Sequence, residues 1–113
     1  MQLLELGTPD RAQRAVAAAV AHVKKEGLRV GWGSSSCIGR KGVGREVSDS
    51  NSLVVLLRGE GLALDGAGRR ERVVPGQAVF WPAGSWFAFE TLSEAGSDVL
   101  SLHGQDVSLD LLR

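Results

Sequence analysis

Few side chains in this sequence are of types that could do chemistry unaided. Its two histidines are His22 and His103. His22 falls within a predicted helix, where a surface role is the simpler interpretation. His103 comes near the end of a late predicted strand and could reach the rim of a pocket. Cys37, the one cysteine, has no acid or base beside it in the sequence, so we expect an unreactive, partly buried thiol.

A second candidate is the glycine- and serine-rich stretch 33–44, which contains Arg40 and Lys41. Backbone amides of such a loop can cradle a phosphate group when the loop leads from a strand into a helix. The spacing here does not match a P-loop, and no apolar strand leads through it into a helix. We therefore expect a plain loop or an irregular strand.

Length and charge limit the classes of function. The 113 residues suffice for one domain with its own core, and thirteen Lys and Arg balance thirteen Asp and Glu. This balance argues against a nucleic-acid or membrane partner. A single cysteine excludes an internal disulfide. The N-terminus does not have the pattern of a signal peptide, so we expect a cytoplasmic protein.

One helix is predicted over residues 9–26. Thr8 is a suitable N-cap, and Pro9 suits the first helical position. Ala and Val recur at helical spacing and form one apolar stripe. Lys24 and Lys25 fall in the last turn, and Gly27 can adopt the left-handed conformation that ends a helix.

The remainder of the chain is predicted to be strands separated by glycine-rich turns. Residues 51–58 are apolar at nearly every position, which is typical of a strand covered on both faces. A hairpin is expected around the turn 65–68. Short strands at intervals of about ten residues indicate a barrel or a sandwich. The predicted strands are 28–32, 51–58, 62–64, 69–74, 78–81, 86–89, 99–102 and 107–112, and residues 1–6 are expected to be either an edge strand or a packed arm.

The stretch 76–91 carries a recognisable spacing. Gly76 is followed after five residues by Pro82 and, after one more, by Gly84. This pattern resembles the second signature of the cupin superfamily. The resemblance implies an all-β fold, a cupin-like double-stranded β-helix (jelly-roll barrel) with one N-terminal α-helix. It divides the chain into an N-terminal arm and helix, 1–27, and a cupin-like barrel, 28–113.

In that family the position three residues after Gly84 is a metal-binding His, and here it is Phe87. The family's first motif, aligned on the turn glycine Gly59, places its other three ligands at Glu46, Ser48 and Ser52. One carboxylate and two hydroxyls do not make a transition-metal site. The resemblance therefore implies a lost metal site, and we expect no cofactor.

Alternation along the strands then predicts which side chains face the interior. They surround either a ligand pocket or a filled core. The candidate pocket residues are Glu46, Ser48, Ser52, Val54, Leu56, Phe87, Phe89 and His103.

Four apolar residues are predicted to face outward, and a large exposed apolar patch usually marks an interface. We expect a homodimer through this patch. The alternative is that the N-terminal helix covers the patch within one chain, and the two are compatible. The candidate interface residues are Leu53, Val55, Leu57 and Trp86.

The functional hypothesis is a metal-free, homodimeric module that binds or senses a small, partly apolar ligand. One alternative is a cupin-type enzyme, isomerase- or oxygenase-like, that uses Glu46 and His103 as acid and base. The other is a purely structural or interaction domain, which would have a solid barrel. The sequence does not identify a reaction.

Overall fold

The structure is a computed structural model that describes the backbone of residues 1–37 and 42–113 and the side chains of residues 1–36 and 47–113. Within these residues the chain forms nine strands, one α-helix and a short 3₁₀ helix. They are β1 (Gln2–Glu5), α1 (Pro9–Glu26), β2 (Gly31–Cys37), β3 (Gly42–Val47), β4 (Asn51–Arg58), β5 (Gly61–Asp65), β6 (Arg70–Val73), β7 (Gln77–Trp81), β8 (Trp86–Thr91), β9 (Ser97–Gly104) and the 3₁₀ helix Leu109–Leu112.

The strands form two antiparallel sheets. The larger has the order β1-β7-β4-β9-β2 and the smaller the order β3-β8-β5-β6. The all-β class with one helix is therefore confirmed. Closure into a barrel is not: no ladder joins the two sheets among the strands that the structure describes.

A core of alternating side chains contains residues from both sheets. The larger sheet contributes Val54 and Leu56 on β4, Val79 and Trp81 on β7, and Val99 on β9. The smaller sheet contributes Phe89 on β8. Leu56, Val79 and Phe89 have no exposed surface. Both sheets thus contribute the apolar side chains that alternation predicts for the interior.

Helix α1 has the predicted bounds. The Thr8 hydroxyl accepts a hydrogen bond from the Arg11 backbone N–H at 3.2 Å, and Gly27 closes the helix at φ 66°. Its buried side is made of small residues, Ala12, Val16 and Ala19, which permit close packing against a sheet. The helix packs against β4 and the 3₁₀ helix.

This packing explains why β4 is apolar on both faces. Leu53 and Val55 point away from the interior into a second core beneath α1, where they meet Ala12 and Val16, and both are fully buried. Side chains without exposed surface in one chain cannot contact a second chain. The interface hypothesis therefore does not hold for Leu53 and Val55; Leu57 and Trp86 keep exposed surface.

One segment differs from the sequence-based expectation. Residues 107–112 were expected to be a strand, but Leu109–Leu112 is a 3₁₀ helix. Leu109 and Leu112 are three residues apart, so one side of the turn packs both of them into the core beneath α1. Within the stretch 33–44, which was expected to be a plain loop or an irregular strand, residues 33–37 belong to β2 and residues 42–44 to β3, and β2 lies at a sheet edge. Arg40 and Lys41, the candidate phosphate ligands, lie outside the described residues.

The N-terminal arm is part of the larger sheet. Strand β1 pairs with β7, with Leu3 opposite Val79, and the Leu6 N–H donates to the Gly76 carbonyl at 2.8 Å. In the described part of the chain, no helix is long and apolar enough to cross a membrane.

Candidate functional site

A cavity of about 460 Å³ opens at the end of the two sheets where β4 begins and β9 ends. Its lining combines four serines, one carboxylate and one imidazole with apolar side chains from both sheets. The lining residues are Ser48, Asp49, Ser50, Ser52, Leu53, Val54, Phe87, Ser101, Leu102 and His103.

One side of the rim is the turn between β3 and β4. The Ser50 N–H donates to the Ser48 hydroxyl at 3.1 Å, and the Ser48 carbonyl accepts from the Gly84 N–H at 2.7 Å. Next along the chain, the Asn51 side chain accepts from the Ala83 N–H at 2.8 Å and donates to the Val107 carbonyl at 3.0 Å. These bonds fix the serine-containing turn to the Pro82–Gly84 turn and to the C-terminal segment.

The opposite side of the rim comes from β9. His103 lies across from Ser52 on β4 and across from Gly31 on β2, and Ser101 lies across from Val54. Residues that are paired across antiparallel strands share a face. Strand pairing therefore places Ser52, Ser101 and His103 on the cavity side of the larger sheet.

The floor is apolar and aromatic. Val54 is 5% exposed, and the half-buried Phe87 ring lies 5.2 Å from the Trp81 ring at a tilt of 42°. Trp81 is buried behind Phe87, and its indole N–H donates to the Leu64 carbonyl at 3.0 Å. The hydrogen-bonded Trp81 side chain therefore packs behind Phe87 and supports the floor of the cavity.

Five of the candidate pocket residues line this one cavity. They are Ser48, Ser52, Val54, Phe87 and His103.

The other candidates lie elsewhere. Leu56 and Phe89 are fully buried in the core between the sheets and do not line the cavity. The backbone of Glu46 lies opposite Phe87 in the β3–β8 ladder, and the Glu46 side chain is outside the described part of the chain.

The sequence analysis missed several lining residues. Ser101 could have been found, since it lies two residues before His103 and alternation puts both on one face. Asp49 and Ser50 belong to a turn, and the strand period gives no signal for where such residues point.

The resemblance to the cupin signature implies a metal site, so the donor set is the relevant test. Phe87, which the resemblance aligns with a ligand position, packs on Trp81 and offers no donor atom. Ser48 and Ser52 carry neutral hydroxyls, which are poor ligands for transition metals. Among the described side chains, no group of three His, Cys, Asp or Glu residues could hold a metal ion. The side chains that the structure describes at these positions do not supply the donor set that a transition metal prefers.

The described lining contains two ionisable side chains, Asp49 and His103, and both are exposed at the cavity mouth. A general acid and base must both reach the same substrate. No hydrogen bond joins these two residues within the described structure, so the geometry does not define an acid–base pair.

Comparison of the chain with known proteins gives similarity at the level of fold. No protein-family model matches the sequence, and no curated protein matches it. Solved cupin structures do match. One is a cupin superfamily protein from Desulfitobacterium hafniense, with 20% identity, 69% of each chain covered and a TM-score of 0.61.

Two further solved structures resemble the chain. A Cupin 2 conserved barrel domain protein from Salinispora arenicola has 12% identity and a TM-score of 0.62, with 75% of this chain and 71% of that one covered. A sugar phosphate isomerase of the cupin superfamily from Silicibacter pomeroyi has 18% identity and a TM-score of 0.60, with 74% of this chain and 55% of that one covered. The chain therefore has the cupin fold, as the spacing of Gly76, Pro82 and Gly84 indicates.

Proposed function

We propose that this protein is a metal-free, cupin-type module that binds a small molecule in the cavity at the end of the two sheets. The observation that carries the proposal is the composition of the cavity lining. A polar rim with Ser48, Asp49 and His103 surrounds an apolar floor of Val54 and Phe87. Small-molecule sites typically combine a mainly apolar concave surface with a few polar groups that fix the ligand's orientation.

The charges around the cavity favour an uncharged ligand. No Lys or Arg is among the described lining residues, and Asp49 adds a negative charge at the mouth. A phosphate or carboxylate would meet this charge with no permanent cation among the described lining residues to pair with. Serine hydroxyls both donate and accept hydrogen bonds, which suits hydroxyl groups on a ligand. The ligand class is therefore a small, hydroxyl-bearing, uncharged compound with one apolar face.

The absence of a metal is part of the proposal. It is supported by the Phe87 ring at a ligand position and by the hydroxyls of Ser48 and Ser52. Elemental analysis after incubation with Fe, Mn, Ni and Zn tests it. We expect no metal at stoichiometric amounts, and one tightly bound metal per chain would refute the metal-free proposal.

Ligand binding is tested by saturation-transfer NMR with matched compounds: uncharged hexoses, pentoses and cyclic polyols, each beside its phosphorylated form. We expect binding among the uncharged members and none from their phosphates. Ser101→Leu adds an apolar side chain to the cavity wall and should abolish binding. Ser34→Leu makes the same change on an exposed position of β2 that does not line the cavity, and it should leave binding intact.

A further inference from the structure

Gly31 and His103 face each other across the β2–β9 ladder, and they are unusually close. A Cβ atom added at Gly31 would lie 2.6 Å from the His103 Nε2 and 2.8 Å from its Cε1. The imidazole ring therefore lies directly against the backbone of Gly31, in space that any other residue would fill with its side chain. A glycine inside a strand often marks such a close approach.

The neighbouring glycine on the same strand provides a comparison. Gly33 lies two residues further along β2, on the same face, opposite Ser101. A Cβ atom added at Gly33 would meet nothing within 4 Å. Glycine is therefore not required along this whole face of β2. The requirement is specific to Gly31, where the histidine ring takes up the space.

The imidazole is also available for contact with a ligand. His103 is exposed at the cavity mouth, and its ring has no hydrogen bond to any side chain or backbone group in the part of the chain that is described. A neutral imidazole carries one donor and one acceptor nitrogen, whereas an ionised carboxylate such as Asp49 only accepts. Among the described lining residues, His103 is therefore the aromatic side chain that can both donate and accept a hydrogen bond.

We propose that His103 is the specificity-determining residue of the cavity and that Gly31 is its positioning residue. Because Gly31 has no side chain, the Nε2–Cε1 edge of the imidazole packs against its backbone, and His103 stays exposed at the cavity mouth. This inference rests on the proposed ligand-binding function.

The orientation of the ring can be measured without any ligand. The chain has two histidines, so each gives one Cε1–Hε1 NMR signal, and a His22→Gln variant assigns them. Gly31→Ala must push the ring away, because a Cβ atom cannot lie 2.6 Å from a nitrogen. We expect it to shift the His103 signal while the His22 signal stays unchanged. Gly33→Ala, the matched control, should leave both signals in place, and an unshifted His103 signal in Gly31→Ala would overturn the inference.

The effect on recognition is measured with the uncharged hexoses and cyclic polyols as probes, using the one that binds the wild-type protein best. We expect Gly31→Ala and His103→Ala to weaken its binding by tenfold or more, and Gly33→Ala to change it by less than twofold. His103→Gln, which keeps a donor and an acceptor, should recover part of the loss. Equal affinities for Gly31→Ala and wild type would overturn the role of Gly31.

The two proposals fail in distinguishable ways. If no probe binds the wild-type protein although Gly31→Ala shifts the His103 signal, the proposed ligand class is refuted, and the role of His103 in recognising it is refuted as well. If a probe binds wild type and His103→Ala equally, ligand binding holds and the specificity role of His103 is refuted.

Discussion

The Phe87 ring rests on the Trp81 ring, with 5.2 Å between their centroids, and the resemblance to the cupin signature aligns Phe87 with a metal-binding histidine. The contact joins the two sheets, since Phe87 lies on β8 and Trp81 on β7. The contact makes Phe87 part of the cavity floor. An aromatic pair of this kind stabilises the folded state by more than its buried area alone would.

Replacing Phe87 by alanine should therefore expose Trp81 to water. We expect the free energy of unfolding to fall by about 1–3 kcal/mol, below the range for a fully buried Phe because this ring is half-buried. In a Trp32→Phe, Trp86→Phe background, Trp81 is the remaining tryptophan, and its emission should shift to longer wavelength. Urea unfolding followed by fluorescence measures both effects.

Phe80→Ala is the matched control. Phe80 is also partly buried, but it packs into the core beneath α1 on the opposite face of β7. It should lower the free energy of unfolding by a similar amount and leave the Trp81 emission maximum unchanged. Equal emission shifts in the two variants would contradict the placement of Phe87 over Trp81.

The two glycines of the cupin signature differ in what they do for the backbone. Both have positive φ, +94° at Gly76 and +82° at Gly84. A Cβ atom at Gly76 would also lie 2.1 Å from the Gly7 carbonyl oxygen, whereas one at Gly84 would meet nothing within 4 Å. Gly84→Ala should cost about 1–2 kcal/mol through backbone strain alone.

Gly76→Ala should cost about 3 kcal/mol or more, since strain is joined by a clash between backbone segments. Thermal and urea unfolding of the two variants, compared with wild type, measures the difference. Similar losses would mean that the contact between Gly7 and Gly76 is not tight. The comparison separates two contributions to the loss of stability. The left-handed conformation is common to both sites, whereas the close approach of another backbone segment occurs only at Gly76.

The sequence predicted the structure best at positions where a single residue type satisfies a local physical requirement. Gly76, Pro82 and Gly84 indicated the cupin fold because turns with positive φ need glycine. Thr8 and Gly27 set the bounds of α1 because capping depends on a few local residues. Alternation from Ser52 correctly divided β4 into Val54 and Leu56 on one face and Leu53 and Val55 on the other.

The sequence did not determine which part of the structure, or which chain, covers an apolar surface when more than one could do so. The outward face of β4 could be covered by α1 or by a second chain, and local pattern is the same for both. The closeness of His103 to Gly31 is likewise invisible in the sequence, because it depends on the register of β2 against β9. Residues 109–112 are apolar enough for a strand, and only packing against α1 favours the 3₁₀ turn.

A charged network on the outer surface should make stability depend on acid pH. The Arg58 side chain donates to the Asp98 carboxylate at 2.8 Å, and the Ser36 hydroxyl donates to the same carboxylate at 2.8 Å. The bond from Arg58, followed by that from Ser36, lowers the pKa of Asp98 below its ordinary value of 3.8. The same contact raises the pKa of Arg58.

A carboxylate whose pKa is lowered by folding stabilises the folded state above its unfolded pKa, and that stabilisation is lost as the pH falls through the folded value. We expect wild type to be more stable than Asp98→Asn at neutral pH and the difference to disappear in acid below the ordinary aspartate pKa. Urea unfolding at several pH values measures this. Glu94→Gln removes a carboxylate from the adjacent turn as the control, and a pH-independent difference for Asp98→Asn would refute the linkage.

Substitutions at Leu53 and Trp86 should have opposite consequences, because one side chain is buried beneath α1 and the other is exposed. Leu53 has no exposed surface, so Leu53→Ala should lower the free energy of unfolding by about 2–4 kcal/mol through a cavity beneath the helix. Trp86 is 38% exposed and lies opposite Val47, which is 63% exposed, in the β3–β8 ladder. Trp86→Ala should change the stability of a single chain by less than about 1 kcal/mol.

The homodimer stays a prediction, and it can be tested at Trp86. If a second copy covers Trp86, sedimentation velocity should show a dimer for wild type and a shift toward monomer for Trp86→Ala. Leu53→Ala should leave the association state unchanged while the protein stays folded, because its side chain faces its own helix. A wild-type monomer at all concentrations would refute the dimer. The exposed Trp86 and Val47 would then be an apolar surface of the single chain, and α1 alone would account for the apolar outer face of β4.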